Sequence, residues 1–121
     1  MGTEMVTFTA EEKGFVIEAD GKKLWISYDE FRGNHKSAME FCKKQGGGDE
    51  TVENLRFLAE HRDVINEELK KLGKVLISGW YWTNKFTWWS DCCAFIVTMS
   101  NGIMSNEYRN NITKARAVSV L

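Results

Sequence analysis

The chain has 121 residues, 43% hydrophobic and 27% charged, with a formal net charge of -1 and no proline. That length suits one domain, 1–121, with a genuine core. The near-balanced charge excludes a general affinity for nucleic-acid backbones or anionic membranes, and no run approaches the roughly 18 apolar residues of a membrane span.

Residues 15–18 and 23–26 flank Asp20-Gly21, a dipeptide that favours the positive φ angles of a type I′ turn. They predict a hairpin. A helix is predicted after Gly33-Asn34, where Ala38, Phe41 and Cys42 form one apolar stripe. Gly46, Gly47 and Gly48 end it and read as a flexible connector. They lack the Lys-Ser/Thr pair of a phosphate cradle, and Asp49-Glu50 would repel a phosphate. A second helical region spans about residues 49–72, with Val52, Leu55, Leu58, Ala59, Ile65, Leu69 and Leu72 on one face. Asp49 or Thr51 caps its start and Gly73 stops it. A break at His61-Arg62-Asp63, with Asp63 as a new cap, would divide it. Glu67, Glu68, Lys70 and Lys71 read as a solvated face.

The remainder reads as β. Residues 75–77 form a short apolar strand, and Tyr81-Trp82 opens another. Residues 94–99 and 103–105 flank Ser100-Asn101-Gly102, a hairpin turn. Residues 115–121 close the chain, either at the sheet centre or beside an N-terminal strand. Strands and helices that come in groups imply an α+β domain, not an alternating one.

Residues 79–111 hold four of the five Trp. Aromatics interleaved with short polar side chains make residues 83–93 read as a contact loop. Trp82 is expected in the core. Two consecutive side chains on an extended segment point to opposite sides, so at least one of Trp88 and Trp89 should reach water. Phe86, Trp88 and Trp89 would supply apolar anchoring area. Asp91, Asn106, Tyr108 and Arg109 would supply hydrogen bonds and charge. Of the vicinal pair Cys92-Cys93, one faces inward and the other outward, and Cys92 is assigned to the ligand surface. Cys42 belongs to the first helix's buried stripe. Three cysteines leave at least one thiol unpaired in a monomer. His35 and His61 are isolated in sequence and read as surface or capping residues. No metal-ligand spacing and no nucleophile motif is present.

Tyr81-Trp82-Thr83, Ala94-Phe95-Ile96-Val97, Ser100-Asn101-Gly102 and Arg116-Ala117-Val118 follow Ala38-Met39-Glu40-Phe41-Cys42 in an order that resembles the DUF1566 / Lcl C-terminal-like bacterial domains over about residues 24–121. The resemblance implies a C-type-lectin-like fold, with two helical segments on a small, mostly antiparallel sheet and a long loop-rich C-terminal half. The variable proteins of diversity-generating retroelements are similar in this region. In them, Asn and other adenine-rich codons are scrambled across a C-terminal ligand surface. Phe86, Trp88, Trp89, Asp91, Cys92, Cys93, Tyr108 and Arg109 stand where relatives often carry Asn, Ser or Tyr. Two departures stand out. The Trp-Arg-Leu-Pro-Thr box is missing, with residues 46–50 in its neighbourhood. The closing Cys is Ala117, which removes any disulfide from Cys42 to that position. Calcium-binding lectins of this fold use a Pro-containing loop, which this chain cannot form, and a calcium cage needs about six to eight oxygen ligands.

The expected function is a non-enzymatic ligand-binding module, a receptor or adhesin, working without a cofactor. The resemblance implies a bacterial surface, secreted or virion setting and a protein or carbohydrate ligand on a cell surface. It implies no nucleic-acid partner and no membrane insertion. Two rivals remain: a cysteine-dependent enzyme of the formylglycine-generating type using Cys92 or Cys93, and a purely structural module of an adhesin or phage tail fibre.

Overall fold

The computed structural model describes residues 5–121. Strands β1 (Thr7–Ala10), β2 (Gly14–Ala19) and β3 (Lys22–Gly33) form an antiparallel meander. Asp20 and Gly21 join β2 to β3 with φ of 54° and 74°, the left-handed pair that the dipeptide predicts. Helix α1 (His35–Lys44) starts at Asn34, whose side chain accepts from Ser37 N at 2.9 Å. Helices α2 (Val52–Glu60) and α3 (Arg62–Lys71) follow, then β4 (Trp80–Thr87), β5 (Ser90–Thr98), β6 (Met104–Tyr108) and β7 (Thr113–Val120). The domain is α+β.

The seven strands of the described residues lie in one sheet in the order β1-β2-β3-β7-β4-β5-β6. β7 pairs antiparallel with β3 and parallel with β4, and the other neighbours are antiparallel. β7 sits at the centre because both its faces are covered, so Ala115, Arg116, Ala117 and Val118 are buried without alternation. Ala115 and Ala117 meet Ala38 and Cys42 of α1 on one face, where small side chains let the helix approach. On the other face Val118 joins Phe15, Ile26, Leu55, Leu58, Ile65 and Leu69 in the larger core under α2 and α3.

Several expectations need correction. The second helical region divides at the expected break, with His61 as the shared joint at φ -104°, but the expected cap is wrong. Thr51 caps α2 by accepting from Asn54 N at 3.1 Å, whereas α3 has no side-chain cap, so Asp63 does not serve as one. Arg62 pins the joint by donating to Met99 O at 2.8 Å and to Ser100 O. Leu72 is exposed, past the last buried turn of α3. Residues 75–77 form no strand. The Asn66 amide replaces a strand neighbour there, accepting from Ile77 N at 2.8 Å and donating to Ile77 O at 2.9 Å. The C-terminal half is strand-rich, not loop-rich, and carries four of the seven strands.

The triple glycine is also more than a connector. A Cβ on Gly47 would stand 2.4 Å from Glu50 Oε2, 2.9 Å from Ala117 Cβ and 2.9 Å from Val118 N. Glu50 cannot yield freely, because that oxygen accepts from Gly48 N at 2.9 Å and Val118 N at 2.8 Å. Gly47→Ala is therefore expected to destabilise the domain by about 2 kcal/mol, through overpacking against β7. Urea denaturation checks this, and an unchanged midpoint would show that the connector has slack.

Candidate functional site

Two residues, Trp88 and Trp89, join β4 to β5. Thr87 and Ser90 face each other below them, and Thr87 Oγ1 donates to Ser90 O at 2.6 Å. Positive φ among the described non-glycine residues is confined to Asp20, so this turn is not of the primed type. Instead the ladder shifts register between Trp82 and Phe86 and again between Phe86 and Thr87. Such irregularities add the local twist that an unprimed turn lacks. Within the first of them, Thr83 Oγ1 donates to Phe95 O at 2.9 Å in place of a backbone donor. Residues 83–93, expected as a loop, are thus the two arms of a hairpin.

Because Trp88 and Trp89 occupy the turn itself, they do not alternate. Both project, with 77% and 56% of their surface exposed. Their rings meet edge-on at 5.1 Å, and both rest on Phe95, at 5.1 and 5.8 Å. Phe95 is buried, so the pair stands on a fixed aromatic base. Trp82, as expected, is fully buried, and its Nε1 donates to Gly33 O at 3.0 Å.

β6 extends this aromatic face. Phe95 pairs with Asn106 and Cys93 with Tyr108 in an unbroken register. Alternation therefore puts Asn106 and Tyr108 on the side of Phe95 and the two Trp. Both are exposed, and Asp91 and Cys92 are exposed beside the turn. A shallow recess of about 310 Å³ lies between this face and the start of α2, lined by Val52, Glu53, Lys85, Trp88, Phe95 and Met104. Cys93 is buried and Cys92 exposed, in line with the one-in, one-out expectation. Cys92 is held through its backbone, by Ser90 Oγ at 3.1 Å and Arg109 N at 2.9 Å. Cys42 is buried, and burial pushes its thiol well above the usual range, so it is no nucleophile at neutral pH.

Phe86 and Arg109, expected among the contact residues beside the Trp pair, belong to the opposite face. The Arg109 guanidinium lies over the Phe86 ring at 4.2 Å, and the His35 ring meets Phe86 edge-on at 5.4 Å. Arg109 Nη1 donates to Asp91 O at 2.9 Å, which ties β6's end to the hairpin tip. These side chains wall a groove of about 590 Å³ against α1, together with Met39, Lys43 and Asn84. The register shifts on either side of Phe86, one of which separates it from the Trp pair, give no simple period in the sequence.

His35 is not a surface residue. It is buried, its Nε2 donates to Thr83 O at 2.8 Å, and its ring edge packs on Trp82. Burial holds its pKa below the ordinary 6.5; the Thr83 hydrogen bond opposes this and the Arg109 charge adds to it. Between the lowered value and 6.5 the unfolded chain binds a proton that the folded chain refuses. Stability therefore falls as pH drops below 6.5. Burial of Glu50 acts with the opposite sign: its pKa is raised, so its contribution weakens as pH rises above the ordinary 4.5. The His35 share is expected to show as a flatter acid limb in His35→Gln than in the wild type, measured by melting temperature against pH. Parallel curves would contradict it.

His61 is buried too, at the α2–α3 joint. Among the described residues no helix is long and apolar enough to cross a membrane. No family model, curated protein or solved structure matches the chain.

Proposed function

We propose that this domain is a non-enzymatic ligand-binding module whose contact surface is the β4–β5 tip and the adjoining face of β6. One observation carries the reading: two neighbouring Trp stand exposed on a two-residue turn while a buried Phe fixes their orientation. Large rigid aromatic side chains lose little entropy on binding and anchor interfaces. Their solvent exposure otherwise works against solubility. Asn106, Tyr108 and Asp91 frame them with hydrogen-bonding groups.

The ligand is a protein or carbohydrate on a cell surface. Flat indole faces suit sugar rings and protein loops alike. The C-type-lectin-like fold and a diversified surface of the retroelement kind are the sharpest version of this proposal. In its favour, the stretch 86–93 and the pair Tyr108-Arg109 meet at one end of β4, β5 and β6, although Phe86 and Arg109 face the α1 side and Cys93 is buried. A bacterial surface or virion is the matching location.

Titration of fluorescently labelled domain onto intact bacterial cells and immobilised glycans tests the proposal. Saturable binding that Tyr108→Ala and Trp88→Ala both weaken supports it. Binding indifferent to both substitutions sinks it.

A further inference from the structure

A second cluster lies away from the aromatic face, where the β2–β3 turn meets the α2–α3 joint. His61 is 7% exposed, and among the described residues its Nε2 has no hydrogen-bond partner. An unpaired buried ring nitrogen weakens a fold unless something satisfies it. Phe57 packs edge-on against the imidazole at 4.6 Å and fixes its orientation. Asp20 Oδ2 stands 3.9 Å from Nε2, beyond hydrogen-bond reach. Glu60 completes a trio in which one ligand atom of each residue lies within 4.8 Å of the others.

Those separations fit an ion better than a hydrogen bond. Two donors on one zinc ion, each about 2.1 Å from it, stand at most about 4.2 Å apart. The Asp20–His61 distance already falls inside that limit. Asp20 and Glu60 are exposed, so rotamer changes close the remaining gaps while the buried imidazole stays put. A single imidazole with two carboxylates matches zinc-like divalent ions. Calcium prefers about six to eight oxygens, and magnesium holds its water.

We propose that Asp20, Glu60 and His61 form a binding site for a divalent transition-metal ion, Zn²⁺ foremost. The ion bonds Nε2 and both carboxylates, with water completing the shell. It clasps the β2–β3 turn to the joint between the two helices that cover the larger core. Its role is structural, separate from ligand recognition at the hairpin tip.

Calorimetry and thermal unfolding of the full chain with ZnCl2 test this, in a Cys92→Ser background so that the exposed thiol does not contribute. One zinc per chain is expected, with a melting temperature raised by about 5 °C at saturation. Asp20→Asn/Glu60→Gln should bind at least roughly tenfold more weakly and lose the shift. That variant keeps the fold, because both side chains are exposed and Asn tolerates the left-handed geometry of position 20 as Asp does. His61→Gln should lose binding as well. No binding of zinc, an equal shift in the carboxylate variant, or an equal shift with CaCl2 or MgCl2 would overturn the proposal.

Discussion

Replacing Glu30 with Ala should lower the unfolding free energy by about 3–5 kcal/mol, because it strands a buried guanidinium. Arg116 lies on the central strand and is 1% exposed. Its Nη2 donates to Glu30 Oε2 and to Val75 O, both at 2.9 Å. Tyr81 Oη also donates to Glu30 Oε2, and burial raises its phenol pKa, so it stays protonated and keeps that donor. Among the described residues, Arg116 Nε and Nη1 already lack partners. Among the described residues, Glu30 is thus the one carboxylate paired with this buried cation. Glu30→Met/Arg116→Met removes both charges together and should be far milder than Glu30→Ala alone. Urea denaturation distinguishes the two through the midpoint at constant slope. A loss under about 1 kcal/mol for Glu30→Ala would mean that water reaches Arg116.

Trp88→Ala/Trp89→Ala should weaken ligand binding by about 100-fold while leaving folding nearly untouched. Truncating a central aromatic anchor typically removes about 2 kcal/mol or more of binding free energy, and each 1.4 kcal/mol is roughly tenfold in affinity. The same side chains add little to stability, because both face water and the turn beneath them is held by Thr87 and Ser90. A stability change within about 1 kcal/mol is expected. Trp82→Ala should do the reverse. Its ring is fully buried, so the substitution leaves a cavity and an unpaired Gly33 carbonyl, at about 3–5 kcal/mol of stability. Cell-binding titrations beside thermal melts separate these effects. Equal loss of stability in both variants would make the hairpin tip part of the core.

Local chemistry made much of this fold legible. Asp20-Gly21 specifies its turn through backbone preference alone, and Asn34 and Thr51 cap helices with side chains that act within three residues. β7 announced itself through a run of small and apolar residues. What escaped was decided by distant partners. Residues 75–77 look like a strand, yet an amide from α3 takes up the backbone groups of Ile77. Asp49-Glu50 reads only as a charge pair that would repel a phosphate, but Glu50 is 1% exposed and accepts from two backbone donors. His61 has only the carboxylates of Glu60 and Asp63 near it in sequence, and the β2–β3 turn brings Asp20 beside it from a distance.

The proposed recognition surface was half legible. An unusual density of Trp marked the hairpin, and exposure of Trp88 and Trp89 agrees with that mark. The arms did not read as strands, because two register shifts break the alternation: Tyr81, Trp82 and Thr83 are buried in succession, then Asn84, Lys85 and Phe86 are exposed. For the same reason Phe86 could not be separated from the Trp face, and Arg109, just past the end of β6, follows it by stacking on its ring. Phe95 falls within the predicted strand 94–99, and its position beneath both indoles follows only from the turn's geometry.

Oxidative footprinting with mass spectrometry tests the recognition surface most directly, on the domain alone and on the domain bound to bacterial cell envelopes. Trp80, 38% exposed at the far end of β4, serves as the internal reference. Binding should protect Trp88, Trp89 and Tyr108 from oxidation and leave Trp80 unchanged. Full reactivity of the two turn indoles in the bound state would place the contact elsewhere.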